Sequence, residues 1–85
     1  MKALSYTITD EQGIHARPAG ELVKVAKEYT SEIKIGKDDK MVDCKKIFGI
    51  MGLGVKKGDV VNFSFSGADE EQAFIAVEGF LKVNL

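Results

Sequence analysis

The apolar and polar positions along the chain repeat with two different periods, and the change of period separates predicted strands from predicted helices. Residues 2–9 carry an apolar side chain at every second position, which predicts a half-buried β-strand. The polar stretch 10–13 ends in glycine and predicts a turn. From Ala16 to about Glu28 the apolar residues are spaced by three and four positions, so this segment predicts an amphipathic helix.

The middle of the chain predicts a hairpin, a short helix and a further strand. Residues 32–37 and 41–44 have the pattern of two short strands, and the polar turn at 36–40 joins them. Residues 45–53 are apolar but interrupted by glycines, which predicts one or two helical turns followed by a loop. Residues 60–66 alternate again and predict a fourth strand whose odd-numbered residues face the core.

The last segment predicts a helix that follows Gly67. Asp69 is expected to cap its N-terminus, with Gln72 three residues later in a capping box. The order β-α-β-β-α-β-α predicts an α+β fold in which three helices cover one face of a four-stranded antiparallel sheet. The first helix crosses from strand one to strand two. A split βαβ arrangement therefore leaves room for strand four between them, in the order 1-4-2-3.

The composition limits the classes of function that the chain can perform. Its 85 residues are enough for one domain, expected to span 1–85, and its 45% hydrophobic and 29% charged residues are ordinary for a globular protein. The net charge of −1 argues against nucleic acid as a partner, which usually requires a strong basic excess. One cysteine and one histidine cannot build a zinc site, and we expect no metal and no other cofactor.

The sequence also predicts a compartment. The N-terminal residues lack the apolar core of a secretion signal, and no apolar run approaches the ~20 residues that span a bilayer. The single cysteine, Cys44, excludes an internal disulfide and fits a reducing environment. Its position in the strand pattern predicts a small core residue. We expect a cytoplasmic protein that does not insert into a membrane.

The strongest candidate for chemistry is His15, the only histidine, which stands between the first turn and the first helix. Pro18 falls in the first helical turn, where a missing backbone N–H costs nothing. The free N–H groups expected there, those of Ala16 and Arg17, favour an anion, and the Arg17 side chain offers a planar fork of donors to phosphate oxygens. Because a neutral imidazole is a nucleophile, the sequence predicts that His15 carries a phosphoryl group.

A second candidate is an apolar docking surface. Ile47, Phe48 and Met51 lie in a segment that one or two helical turns cannot bury on every side. Exposed apolar patches mark partner sites, and methionine suits a surface that accepts several partners. Lys24 and Lys27, on the outer face of the first helix, are expected to complete this surface.

The glycine-rich segment 49–58 does not match a nucleotide-binding loop. Val55 follows Gly54 at the position where a Walker A motif requires lysine. The third glycine of a dinucleotide fingerprint would stand one place late, at Gly58. Nucleotide binding is therefore not predicted.

These features together resemble the HPr family, the histidine-containing phosphocarriers of the phosphoenolpyruvate-dependent sugar phosphotransferase system. The resemblance rests on Gly-Ile-His-Ala-Arg-Pro-Ala at 13–19. It extends to Tyr-Thr-Ile-Thr-Asp at 6–10, Lys-Ile-Phe-Gly-Ile-Met-Gly-Leu-Gly at 46–54, and Ser-Gly-Ala-Asp-Glu at 66–70. It implies an open-faced β-sandwich of four antiparallel strands and three helices.

The resemblance also implies a mechanism and partners. His15 would accept a phosphoryl group on Nδ1 from phospho-enzyme I, with Arg17 assisting, and pass it to the A domains of sugar-specific enzymes II. The chain would be a monomeric carrier in transient complexes, and not an enzyme with turnover on a small molecule. The docking role of Ile47, Phe48 and Met51 is carried over in the same way.

One position departs from the family pattern. Lys46 stands where many Gram-positive members have a serine that a dedicated kinase phosphorylates. Lysine cannot be phosphorylated in that way, and Gly52 removes another hydroxyl that is common nearby in relatives. We therefore expect the regulatory serine switch to be absent.

Two other functions stay open on the sequence. The chain could be a paralogous carrier in a regulatory or nitrogen-related phosphorelay, which these residues do not distinguish from a sugar-transport carrier. It could also be a non-catalytic regulator that binds partners through Phe48 and its neighbours. The presence of His15 with Arg17 argues against the second alternative.

Overall fold

The computed structural model describes residues 1–85 and contains four strands and three helices in the predicted order. The strands are β1 (Lys2–Thr7), β2 (Glu32–Lys37), β3 (Lys40–Asp43) and β4 (Val60–Ser66). The helices are α1 (Ala16–Lys27), α2 (Ile47–Met51) and α3 (Glu70–Asn84). All strand pairs are antiparallel, the sheet order is β1-β4-β2-β3, and the helices cover one face. The predicted α+β fold class and strand order are confirmed.

The hydrophobic core lies between the sheet and the two long helices. The alternation in β4 buries Val61, Phe63 and Phe65 and leaves its even-numbered residues less buried. Phe65 also meets the ring of Phe74 from α3 in an edge-to-face contact, with centroids 5.5 Å apart. Burying each large apolar side chain stabilises the fold by about 1.5–3 kcal/mol, so the inward residues of this central strand contribute strongly to the core.

Two strand boundaries differ from the prediction. β1 ends at Thr7, although the N–H of Ile8 still donates to the carbonyl of Asp59, next to the start of β4, at 2.9 Å; the N–H of Thr9 donates to Leu85 at 2.6 Å. The chain therefore turns from β4 towards the end of α3 at residue 9. β3 lies one residue earlier than expected, at 40–43.

Cys44 follows β3 and is buried, as predicted. Its N–H donates to the carbonyl of Ile33 at 2.9 Å. Burial raises the pKa of the Cys44 thiol to about 12, with the charge of Asp43 adding to the effect. The thiol is therefore protonated at neutral pH and acts as a small core side chain.

The hairpin between β2 and β3 turns at Asp38 and Asp39, and Gly36 lies within β2 instead of in the turn. Asp38 has a positive φ of 58°, a conformation that aspartate tolerates better than most residues. The Met41 side chain fills the space that a Cβ on Gly36 would occupy. The glycine therefore serves cross-strand packing.

The predicted capping box at the start of α3 is wrong. Asp69 stands at the N-cap, but its side chain does not bond to the first turn of the helix. Its carboxylate accepts the N–H of Thr30 and the N–H of Ser31, each at 2.9 Å, and also the hydroxyl of Ser31. Asp69 therefore ties the α1–β2 connection to α3, and this competing use of the carboxylate replaces the cap.

These hydrogen bonds, led by that of the Ser31 hydroxyl, lower the pKa of Asp69 to about 2. The next residue, Glu70, accepts the N–H of Gly67 at 3.1 Å and pairs with the ammonium of Met1 at 2.8 Å. These two contacts also lower the pKa of Glu70. Both carboxylates at this helix end thus have partners within the chain.

Candidate functional site

The start of the segment 13–19 is held by backbone contacts with the preceding turn and with Val55. Gly13 has a φ of 66°, and a Cβ there would overlap the carbonyl of Val55, so only glycine fits without strain. The N–H of Gly13 donates to Asp10 at 3.0 Å, and the N–H of Ile14 donates to Val55 at 3.2 Å. Ile14 is buried in the core. These contacts set the direction in which the chain enters α1.

His15 is the N-cap residue of α1. Its backbone is extended, with φ −96° and ψ −174°, and its carbonyl accepts the N–H of Ala19 at 3.0 Å. Its side chain makes no capping hydrogen bond, and the residue is only half-buried. The imidazole is therefore available to an external group. Pro18 and Ala19 are buried beneath it and anchor the first helical turn.

Two backbone donors remain free beside His15. The N–H groups of Ala16 and Arg17 have no acceptor in the protein, Pro18 has no N–H, and that of Ala19 is already bonded. No acidic residue lies in the first turn of α1. The positive end of the helix dipole is thus left without a negative partner from the chain, an arrangement that favours binding of an anion.

His15 and Arg17 line one depression of about 190 Å³. The structure therefore brings together the two residues that the sequence predicted as the site. Its other lining residues are Asp10, Pro18, Glu21 and Asn84. The Arg17 side chain is 87% exposed, and its Nε lies 3.6 Å from Oε1 of Glu21.

The end of α3 supports this depression. The carbonyl of Leu85 accepts the N–H groups of Thr9 and Asp10, at 2.6 and 3.0 Å, and the Thr9 hydroxyl at 2.9 Å. The Asp10 carboxylate accepts the N–H of Gln12 at 2.9 Å. The turn that precedes His15 is therefore held at the C-terminal end of a helix that lies far away in the sequence.

Asp10, Glu21 and Asn84 were not predicted as site residues. Glu21 had a detectable signal, because it stands four positions after Arg17 on the same helix, where side chains meet. Asp10 and Asn84 had no such signal. Only the packing of α3 beside the first turn places them together.

The residues of the predicted docking surface are exposed to different degrees. Phe48 is 85% exposed and Met51 is 40% exposed, whereas Ile47 is partly buried. Lys24 and Lys27 are exposed on α1. Ile47, Phe48 and Lys27 line a groove of about 630 Å³ between α1, α2 and the end of β3, while Lys24 and Met51 lie outside its lining. The groove also includes Val23, Val42, Asp43, Lys45, Lys46 and Gly49.

Two lysines that precede α2 have different environments. Lys46 is the N-cap residue of α2, is exposed, and makes no side-chain cap. Lys45 is partly buried, and its ammonium donates to the carbonyl of Tyr29 at the end of α1, at 2.8 Å. The groove therefore has a basic border next to the apolar side chains of Ile47 and Phe48.

The comparisons with known proteins agree with this architecture. The family model described as "PTS HPr component phosphorylation site" matches residues 3–82. The phosphocarrier protein HPr of Lysinibacillus sphaericus is 41% identical over 81 residues, which cover 95% of this chain and 92% of that protein.

Solved structures agree as well. The crystal structure of HPr-C-His from Thermoanaerobacter tengcongensis has a TM-score of 0.92 at 43% identity, covering 96% of this chain and 92% of that one. A crystal structure of an HPr dimer from the same organism has a TM-score of 0.78 at 42% identity, covering 98% of this chain and 95% of that one.

None of the three helices of this chain has both the length and the apolar character needed to cross a membrane.

Proposed function

This chain belongs to the HPr family of phosphotransferase-system components, and from that premise we propose that it carries a phosphoryl group on His15 from phospho-enzyme I to the A domains of enzymes II. One observation carries the proposal. His15 is the N-cap residue of a helix with two free backbone donors, and Arg17 lines the same depression.

The proposed chemistry needs little more than position and charge balance. The Nδ1 lone pair of His15 forms a bond to phosphorus while the bond between phosphorus and the donor's nitrogen breaks. The N–H groups of Ala16 and Arg17 and the guanidinium of Arg17 then face the phosphate oxygens, which would accept charge-assisted hydrogen bonds from them. The same groups release the phosphoryl group when an acceptor attacks phosphorus.

We propose that the carrier works as a single chain in transient complexes. Lys24, Lys27, Ile47, Phe48 and Met51 would contact the partners. Phe48 is the main apolar anchor in this proposal, because its ring is the most exposed of the three apolar side chains.

The decisive experiment measures phosphate on the protein. The purified chain is incubated with enzyme I and phosphoenolpyruvate, and intact mass spectrometry counts the phosphates before and after mild acid treatment. We expect one acid-labile phosphate on the wild type and none on His15→Ala. A wild type without phosphate, or a His15→Ala variant with one, contradicts the proposal.

The docking surface has its own test. Phe48→Ala is expected to leave the far-UV circular dichroism and the thermal midpoint unchanged, because the ring is largely exposed. It should slow transfer from enzyme I by roughly ten-fold or more, since a central apolar anchor often contributes over 1.4 kcal/mol to binding. Ile75→Ala is the matched control, an exposed apolar residue on α3, and should transfer at the wild-type rate. Equal rates for both variants would remove Phe48 from the proposed interface.

A further inference from the structure

Arg17 has a partner in this structure that the histidine motif does not include. Its Nε lies 3.6 Å from Oε1 of Glu21, one helical turn further along α1. Glu21 also lines the depression that contains His15. The other carboxylate there, that of Asp10, accepts a backbone hydrogen bond from the adjacent turn. Glu21 has no partner except Arg17.

The Arg17–Glu21 pair is weak by its geometry. The two side chains are 87% and 46% exposed, and ion pairs with this exposure contribute little because water screens them. The cation also precedes the carboxylate, which is the less favourable order for an i,i+4 pair. A phosphoryl group on His15 would present several anionic oxygens to the guanidinium, which can bind two of them at once.

We propose that Glu21 is a positioning residue for Arg17, which it holds in the unphosphorylated chain and releases to the phosphoryl group on His15. This inference rests on the proposed carrier function. Arg17 must leave Glu21 before it binds the phosphoryl group, so the net stabilisation from Arg17 is reduced. The freed carboxylate then stays in the depression as a nearby negative charge. Both effects keep the phosphohistidine ready to pass on its group.

The test compares two forms of the protein in one tube. Enzyme I in catalytic amount exchanges phosphoryl groups between ¹⁵N-labelled wild type and unlabelled Glu21→Gln, supplied with limiting phosphoenolpyruvate. Intact mass spectrometry then gives the phosphorylated fraction of each. At low salt we expect the ratio of phosphorylated to free protein to be roughly two- to five-fold higher for the variant, the factor that matches a weak exposed ion pair.

A change of salt concentration and a matched variant distinguish an electrostatic effect of Glu21→Gln from a structural effect. At about 1 M salt, where screening acts over about 3 Å, the advantage of Glu21→Gln should fall towards one. Glu28→Gln removes the same charge at the C-cap of α1, about 20 Å along the helix axis from His15, and should give a ratio of one at both salt concentrations. Both substitutions keep a good helix former, so circular dichroism should not change.

A spectroscopic measurement follows Arg17 directly. In ¹H–¹⁵N spectra the Arg17 Nε–H signal should move on phosphorylation of the wild type. In the unphosphorylated state it should differ between wild type and Glu21→Gln, and the difference should become smaller after phosphorylation.

The exchange experiment also gives the result that overturns the proposal. If the phosphorylated-to-free ratio of Glu21→Gln relative to wild type is at or below one at low salt, with both proteins phosphorylated, the role of Glu21 is overturned and the carrier function stays intact. If neither protein gains a phosphate, both proposals fail.

Discussion

The N-terminus of α1 and the N-terminus of α3 meet the same electrostatic requirement in opposite ways. The first turn of α3 contains Glu70 and Glu71, whereas the first turn of α1 contains no acidic residue. The chain's own carboxylates thus offset the positive end of the α3 dipole, whereas the positive end of the α1 dipole is open to an anion from outside.

The two helix ends also differ in how firmly their side chains are held. Asp69 accepts three hydrogen bonds from the α1–β2 connection. At α1, His15 makes no capping bond and Arg17 has only an exposed carboxylate as a partner. The contrast teaches that the positive end of a helix dipole can be offset by acidic side chains of the chain itself, as at α3, or left without them, as at α1.

The largest expected effect comes from removing one key side chain at each end. His15→Ala should abolish phosphorylation by enzyme I while keeping the thermal midpoint close to that of the wild type, because the imidazole makes no hydrogen bond in the fold. Asp69→Ala should do the reverse, lowering the thermal midpoint while the folded protein still gains one phosphate. Calorimetry and intact mass spectrometry measure the two properties separately. Joint loss of both properties in either variant would break the comparison.

A glycine substitution tests how rigidly the backbone is held before His15, at the N-terminus of α1. Gly13→Ala should lower the free energy of unfolding by about 1–3 kcal/mol, because φ is positive there and Val55 leaves no room for a Cβ. Gly79→Ala is the matched control. This helical residue has open space around it, so alanine should stabilise α3 by about 0.5–1 kcal/mol. Urea unfolding of both variants checks the opposite signs.

Acid should remove the contribution that Asp69, at the N-terminus of α3, makes to the stability of the fold. The pKa of Asp69 is about 2 in the fold against an ordinary value of 3.8, so the unfolded chain takes up this proton at higher pH than the folded chain does. The contribution of Asp69 is therefore complete above the ordinary value and is lost as the pH falls through about 2. The stability difference between wild type and Asp69→Asn should be constant at neutral pH and should shrink over that acid range. A difference independent of pH would show that the Asp69 charge does not contribute.

The smallest effect is expected at the third helix end. Lys46, the N-cap residue of α2, cannot accept a hydrogen bond from the first turn. Lys46→Ser should therefore raise the free energy of unfolding by about 0.5 kcal/mol. It would also give a regulatory HPr kinase with ATP a hydroxyl that position 46 lacks. Wild type should gain no phosphate from that kinase, and phosphate on any hydroxyl of the wild type would contradict the absence of the switch.

The sequence predicted most of the fold because the periodic patterns in β4 and α1 agree with the packing that they enter. The capping box at Asp69 failed for a different reason. Its spacing to Gln72 is local, whereas the donors that it binds, on Thr30 and Ser31, lie almost 40 residues away along the chain. Local spacing cannot reveal such a competitor.

The site around His15 also combines residues that local sequence predicts with residues that only the tertiary structure brings close. His15 and Arg17 were predictable because a short motif places them at the start of one helix. Glu21 was within reach of the same reasoning, since it lies on that helix. Asp10 and Asn84 were not, because only the tertiary arrangement of β1 and α3 brings them together. The docking residues were predicted from an apolar segment that is too short to be buried on every side, and from the family resemblance, and their role stays a prediction.

The carbonyl of Leu85 has a consequence for biosynthesis. Its bonds to Thr9 and Asp10 close a loop of 76 residues, and Asn84 supplies part of the wall beside His15. A nascent chain on the ribosome contains the residues of α1 early, yet the depression around His15 is incomplete until residues 84 and 85 have been synthesised.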